Sequence, residues 1–430
     1  MTQPSGPGRA LPRASITIAA FSTIVEWYDF TLYLYFSTVL SRVFFGGGQT
    51  GLVATLAGFA IAYFLRPLGA IVFGHIGDRL GRRRTLLLSV AVMTAAMLAT
   101  ALLPTHAQAG AIAGWLLFLL RCAMGFSVGG EYNVVVAYLL EGAPPNRRGL
   151  IASCAAAASE IGGLLAVGIS SLTVNWLEPA SLDSWGWRIP FLAGAGLAAA
   201  VWIARSAMAE SPDFLRQQRD GTVPQSPLRF ILAGHRGAIR RAFAISALGS
   251  ITYYVGITYV PVFLTSTGGL GEGEALHLST LAAAAVILIT PITGALSDWL
   301  GRKPVLIVLA ACCLVLPLLL FHLMAVRPYA LLGAVLLACL AGAISAVGAI
   351  ATAEQFPGEG RVSGLALGAT SATAIFGGLT PLIAQLVTAQ TGMAAVPGAM
   401  IAIVALCVLP VLLKLPLPAQ AADRNIQTSL

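Results

Sequence analysis

The chain has 430 residues, of which 57% are hydrophobic and only 10% charged. Soluble domains carry about 25% charged residues, so the composition excludes an ordinary soluble domain and points to a polytopic membrane protein. The formal net charge of +8 would suit a nucleic-acid binder, but its distribution along the chain argues against nucleic acid as a partner.

A membrane-spanning helix needs about 20 apolar residues, and twelve such runs fit: 14–44, 51–77, 84–104, 110–141, 149–175, 189–208, 241–266, 275–298, 304–324, 328–353, 362–389 and 395–414. They are numbered here as spans one to twelve. The sequence divides into an N-terminal tail (1–13), a six-helix bundle (14–208), a polar and basic linker (209–240), a second six-helix bundle (241–415) and a short tail (416–430). The linker holds Pro212, Pro224 and Pro227, with a short surface helix expected near Asp213 to Arg219. The first residues lack a cleavable signal pattern, so span one is expected to be retained.

With twelve spans, both chain ends share one side, and about twenty of the twenty-five Lys and Arg fall there. The opposite loops hold Arg42, Arg188 and Arg327 with Glu178, Asp183, Glu272 and Glu274. That asymmetry predicts an inner (plasma) membrane protein with cytoplasmic termini. The six cysteines (122, 154, 312, 313, 339, 407) all lie in apolar spans and read as small buried hydrophobes. No metal-ligand spacing, nucleophile triad or phosphate loop appears, so no cofactor, metal or enzymatic activity is expected. Gly129-Gly130 sits mid-span with no Walker-type lysine after it.

The chain repeats itself. Gly74-His-Ile-Gly-Asp78-Arg-Leu-Gly81-Arg82-Arg83 recurs as Gly294-Ala-Leu-Ser-Asp298-Trp-Leu-Gly301-Arg302-Lys303, each copy joining the second and third spans of its half. A weaker echo matches Glu141…Arg148 to Glu354…Arg361. An Asp ending a helix can pair with a nearby Arg or cap a neighbouring helix. Asp78, Arg82, Glu141 and Arg148, with Asp298, Arg302, Glu354 and Arg361, are therefore expected to form a gate latch. The alternative reading of each copy is a basic loop with a tight turn.

Charges inside spans are the second signal. Each costs about 2.5–3.5 kcal/mol on insertion scales, and such groups persist where they pair or line a solute path. Glu26 and Asp29 share a face of span one, extended by Tyr33. Arg66 lies deep in span two, one turn from Tyr63, and Glu160 is central in span five. Arg121 and Glu131 both fall in span four, about 15 Å apart along the axis, and are not expected to touch. Arg121, distant from any acid of its own span, is the better candidate for substrate contact. Arg66 could take that role or neutralise Asp29, Glu26 or Glu131, and Glu160 could be a packing residue. Four acids face two arginines, so at least one acid is expected to hold a proton during part of a cycle, with Glu131, Asp29 and Glu26 preferred in that order. The second half carries no charge near a bilayer centre; Ser246, Ser250 and Tyr253 fall on one face of span seven, with Tyr254 beside them. Tyrosine rings could pack a substrate's body or hold a quaternary ammonium. Pro261, Pro291 and Pro381 are expected to kink their helices.

The repeated G-x-x-x-D-x-x-G-R-K/R motif resembles that of the major facilitator superfamily. Glu26-Trp-Tyr-Asp-Phe30, Arg121…Gly125-Phe-Ser-Val-Gly129-Gly130-Glu131, Trp187-Arg188-Ile-Pro190-Phe191 and Ala209-Glu-Ser-Pro212-Asp-Phe214 are similar to motifs of its metabolite:proton symporter family, which includes importers of proline/betaine, 2-oxoglutarate, citrate and shikimate. The resemblance implies an all-α membrane fold of twelve helices in two pseudo-symmetric bundles, alternating access, and a monomer. It also implies that spans one, four, seven and ten line the cavity. The expected function is proton-coupled symport of a small organic acid. The alternatives are symport of a zwitterionic osmolyte such as proline or betaine, or proton-driven efflux. In the main reading Arg121, Arg66, Tyr33, Tyr253 and Tyr254 bind substrate, and Glu131, Asp29, Glu26 and Glu160 are the proton carriers.

Overall fold

The computed structural model describes residues 13–80, 82–129, 148–206, 227–356 and 361–416. Among these, each of the twelve expected spans is helical and no strand occurs. Span one is Arg13–Tyr35 continued by Ser37–Phe45, and span two is Gly48–Leu80. Spans three to six are Arg82–Ala101, Ala111–Val128, Arg148–Trp176 and Arg188–Ser206. Span seven joins Arg236–Tyr253 to Val260–Ser266 through a π-helical segment, and span eight is Glu272–Leu300. Span nine is Arg302–Cys313 with Leu316–Met324, span ten Ala330–Ala353, and span twelve Val396–Leu413. Span eleven runs from Arg361–Leu365 through two π-helical segments to Thr380–Thr391. Eight described helices are long and apolar enough to cross a membrane alone, and spans seven and nine qualify as pairs bent by 46° and 47°.

Local chemistry explains the breaks. Spans one and two are joined by Gly46-Gly47-Gly48, all at positive φ, where a side chain would be strained. The bend in span seven comes where Pro261 opens Val260–Ser266, and Pro381 likewise opens the last segment of span eleven. Pro291, by contrast, sits inside the unbroken helix Glu272–Leu300, and the bend in span nine falls just before Pro317. The expected surface helix near Asp213 lies outside the described residues. The end of the linker is helical (Pro227–Gly234), and it buries Ile231 against Ala238, Ala242, Ile350, Phe356 and Leu365.

Large apolar side chains cover the outer surface, including Leu98, Ile203, Val308 and Leu406, as a lipid-facing surface requires. Trp176 and Trp299 lie exposed at span ends, the usual place for interfacial aromatics. Inside, span five packs along span eight and span two against span eleven, which joins the first six helices to the last six. Gly149 and Gly294 allow the first of these contacts: a Cβ on either would press on the other's carbonyl oxygen.

Candidate functional site: paired charges and an aromatic-walled cavity

Span one places Glu26, Asp29 and Tyr33 on one stripe, and all three are buried. Helix packing decides what they meet. Span four approaches span two through Gly125 and Gly129, whose Cβ positions are filled by the Ala62 and Arg66 carbonyls; Gly69 meets the Phe126 backbone in the same way. Small residues at such spacing let helices approach backbone to backbone. The result sets Arg66 and Arg121 beside span one.

Two ion pairs follow. Arg66 Nη2 binds the Glu26 carboxylate, and its Nη1 donates to Tyr63 Oη at 2.8 Å. The Arg66 guanidinium also lies 4.3 Å from the Phe30 ring centre. Tyr63 Oη is in turn hydrogen-bonded to Tyr254 Oη of span seven. Glu26, Arg66, Tyr63 and Tyr254 thus form a chain that crosses from the first six helices to the last six. In the second pair, Arg121 Nη1 reaches both oxygens of Asp29 at 3.1 and 3.0 Å, while Nη2 contacts Met124 Sδ. The Arg121 guanidinium lies 5.4 Å from the Tyr33 ring centre, and Tyr33 Oη donates to the Thr55 carbonyl at 3.0 Å. Glu160 is different. It accepts a hydrogen bond from Tyr253 Oη at 3.3 Å.

A cavity of about 140 Å³ opens between the halves. The first half contributes Trp27, Arg66 and Gly129; the second contributes Ser246, Ser250, Tyr253, Tyr254, Ser345, Thr352, Thr370 and Thr373. The expected face of span seven therefore does line the cavity. Tyr253 meets Trp27 edge-on at 5.0 Å and Tyr254 at 5.3 Å. Of the expected substrate contacts, Arg66, Tyr253 and Tyr254 stand on this wall. Arg121 and Tyr33 are not among the wall residues, and Arg121 is paired with Asp29 of span one. Trp27 was not foreseen as a wall residue, although it sits between the two acids in the Glu26-to-Phe30 motif. Glu131 and Glu141 lie outside the described residues.

Each end of the molecule carries contacts between the halves. At the motif face, Asp298 accepts the backbone N–H groups of Gly149 and Leu150, both at 2.9 Å, at the start of span five. Asp298 also pairs with Arg302 at 2.6 Å, and Arg302 Nε lies 3.7 Å from Glu354. Burial pushes the Glu354 carboxyl above its ordinary range, against the opposing pull of Arg302 and Arg148. The second copy of the latch motif and Arg148 are thereby brought together. The side chains of the first copy, Asp78 and Arg82, and of Arg361 lie outside the described residues. The distal face holds a cluster the sequence did not reveal: Arg42, at the end of span one, pairs with both Asp183 and Glu272. The three residues are individually visible in the sequence as loop charges, but their pairing spans 141 and 230 positions.

The family model for "Sugar (and other) transporter" matches residues 15–224. The α-ketoglutarate permease of Escherichia coli is 34% identical over 376 residues, covering 86% of each chain. The ectoine/proline transporter ProP of Corynebacterium glutamicum is 33% identical over 407 residues (90% of this chain, 80% of that one). The citrate-proton symporter of Klebsiella pneumoniae is 30% identical over 388 residues (89% and 87%). Among solved structures, the xylose transporter XylE of Escherichia coli, in a partially occluded inward-open conformation, superposes with a TM-score of 0.73 at 19% identity, covering 94% of this chain and 98% of that one. The repeated motif, the helical architecture and these likenesses agree, and the chain belongs to the major facilitator superfamily, within its metabolite:proton symporter family.

Proposed function

We propose that this chain is a proton-coupled symporter that carries a small carboxylate-bearing metabolite by alternating access. One observation supports the substrate class above others. Among the described residues Arg66 is the charged side chain on the cavity wall, and it stands beside the rings of Trp27, Tyr253 and Tyr254. A guanidinium offers a carboxylate a charge-assisted hydrogen bond, and the rings offer a surface for the rest of the molecule. The solutes named for the three relatives, α-ketoglutarate, ectoine or proline, and citrate, all carry a carboxylate.

A second reading has its own support. Arg66 is already neutralised by Glu26, so the site as a whole favours a solute with little net charge, and the aromatic wall suits a quaternary or secondary ammonium. A zwitterion such as proline or betaine fits both features.

In this reading the protein works as a monomer in the inner membrane, with both termini and the motif face cytoplasmic. Residues 14–208 and 241–415 act as two bundles joined by the linker 209–240, rocking about the cavity. Asp78, Arg82, Glu141 and Arg148, with Asp298, Arg302, Glu354 and Arg361, act as the cytoplasmic latch, and the membrane-embedded acids as the coupling groups.

The test is uptake of labelled 2-oxoglutarate, citrate, proline and betaine into proteoliposomes with an acidic exterior. At least one is expected to accumulate and to lose that accumulation when the pH step is collapsed. Arg66→Ala is expected to raise KM about tenfold or more, because a charge-assisted hydrogen bond contributes about 1.5–3 kcal/mol. Uptake indifferent to the pH step sinks the coupling, and a preference for sugars over all four solutes sinks the substrate class.

A further inference from the structure

The geometry points to Glu160 as the proton-binding site of this transporter, with Tyr253 as the group that links it to the substrate cavity. The assignment rests on the symport reading above. Each acid of span one has a cation: Glu26 holds Arg66, and Asp29 holds Arg121. Glu160 has none among the described residues, although it is only 6% exposed. An ionised carboxylate in that position carries an uncompensated desolvation cost, whereas a protonated one does not. A neutral carboxylic acid is the form that this conformation accommodates.

The surroundings agree. Glu160 accepts from the Tyr253 hydroxyl of span seven, and Tyr35 of span one is close enough to feel its charge. Span one also carries Glu26 and Asp29, both engaged by arginines. The other helices packed on span five keep their described charges near their ends. These are Arg188 and Arg205 in span six; Glu272, Glu274, His277 and Asp298 in span eight; and Glu354 after span ten. In span seven they are Arg236, Arg240 and Arg241. Among the described residues no cation is thus positioned to hold Glu160 ionised, and either proton state keeps a hydrogen bond with the Tyr253 hydroxyl.

Tyr253 makes the coupling. Its hydroxyl touches Glu160, while its ring lines the cavity and rests on Trp27 and Tyr254. A solute seated against that ring restrains the hydroxyl that Glu160 uses. The proton is taken from water on one side, rides on a Glu160 carboxylate oxygen while the halves rock, and leaves to water on the other side. No other bond is made or broken.

The experiment uses the full chain in proteoliposomes and has two readouts. In infrared spectra titrated with pH, the wild type is expected to show a carboxylic-acid C=O band at neutral pH that vanishes in Glu160→Gln and persists in Glu26→Gln. In transport, labelled proline and 2-oxoglutarate serve as probes. With one proton per solute, a one-unit pH step holds about a tenfold solute gradient, equivalent to about 1.4 kcal/mol. Glu160→Gln is expected to lose that tenfold accumulation while still exchanging internal for external solute, which also shows that it is folded. A band unchanged in Glu160→Gln, or lost in Glu26→Gln instead, overturns the assignment. So does a Glu160→Gln variant that still accumulates solute about tenfold. If the wild type moves neither probe, the substrate reading fails by itself, and the infrared band still decides Glu160.

Discussion

Asp29 and Arg121 are a buried ion pair. Arg121 is 5% exposed and Asp29 fully buried, so Asp29→Asn would leave a guanidinium charge without its counter-ion. Removing one partner of a buried pair typically costs about 3–5 kcal/mol, whereas replacing both with neutral groups is often tolerated. Asp29→Asn is therefore expected to lower the thermal midpoint sharply in detergent, and Asp29→Asn combined with Arg121→Gln to recover much of the loss. Equal loss in the single and double variants would mean that the pair does not act as a unit. Residue identities were informative at this scale: the sequence alone placed Glu26, Asp29 and Tyr33 on one face and both arginines at membrane depth. It did not reveal who pairs with whom. The partners lie 40 and 92 positions apart, and the choice depends on how two spans approach span one. For the same reason the sequence does not show that Arg121 has a counter-ion, since an acid on a neighbouring helix leaves no trace in the spacing along its own.

The helices approach as they do because of glycines, and that effect can be tested separately from charge. A Cβ at Gly129 would strike the Arg66 carbonyl and the Ala70 nitrogen, both rigid backbone atoms. Overpacking a tight contact costs about 1–3 kcal/mol, and here the strain falls on the residue that carries the cavity's guanidinium. Gly129→Ala is expected to lower both stability and substrate affinity. Gly196→Ala in span six meets nothing within 4 Å and should leave both unchanged or raise stability slightly, since Ala is the better helix former by about 1 kcal/mol. Matching thermal shifts in the two variants would remove the packing argument. The Gly125-to-Gly129 spacing was visible in the sequence as part of the span-four motif. The π-helical segments that begin at Tyr254, Ala366 and Ala374 were not. Pro261 and Pro381, which follow two of them, signal kinks in the sequence, and the wider turns precede those prolines. Such segments recur at functional sites, and the first of them turns Tyr254 toward Tyr63.

Across the whole molecule, the two ends hold opposing devices. At the distal face Arg42 gathers Asp183 from its own half and Glu272 from the other; at the motif face Asp298 of the second half caps the start of span five. Alternating access requires that each be released in turn, so loosening one should bias the protein away from the state it stabilises. The distal cluster is partly exposed, with side chains between 25% and 38% accessible, and exposed pairs contribute only about 0.2–1 kcal/mol each. Only the Arg42–Glu272 pair crosses the halves, so its release is worth about 0.2–1 kcal/mol, enough to shift a two-state population by up to about fivefold. Arg42→Ala is thus expected to enrich the distal-open state, seen as a longer spin-label distance between the distal ends of spans five and eight. Asp298→Ala should move the same distance the other way, toward a closed distal face. The charge swap of Arg42→Glu with Glu272→Arg isolates the pair that crosses the halves. It should restore the wild-type distance in part only, because Asp183 then faces a like charge. A distance unmoved by Arg42→Ala at low ionic strength, where such pairs are strongest, would show that the Arg42 cluster follows the conformational change without biasing it.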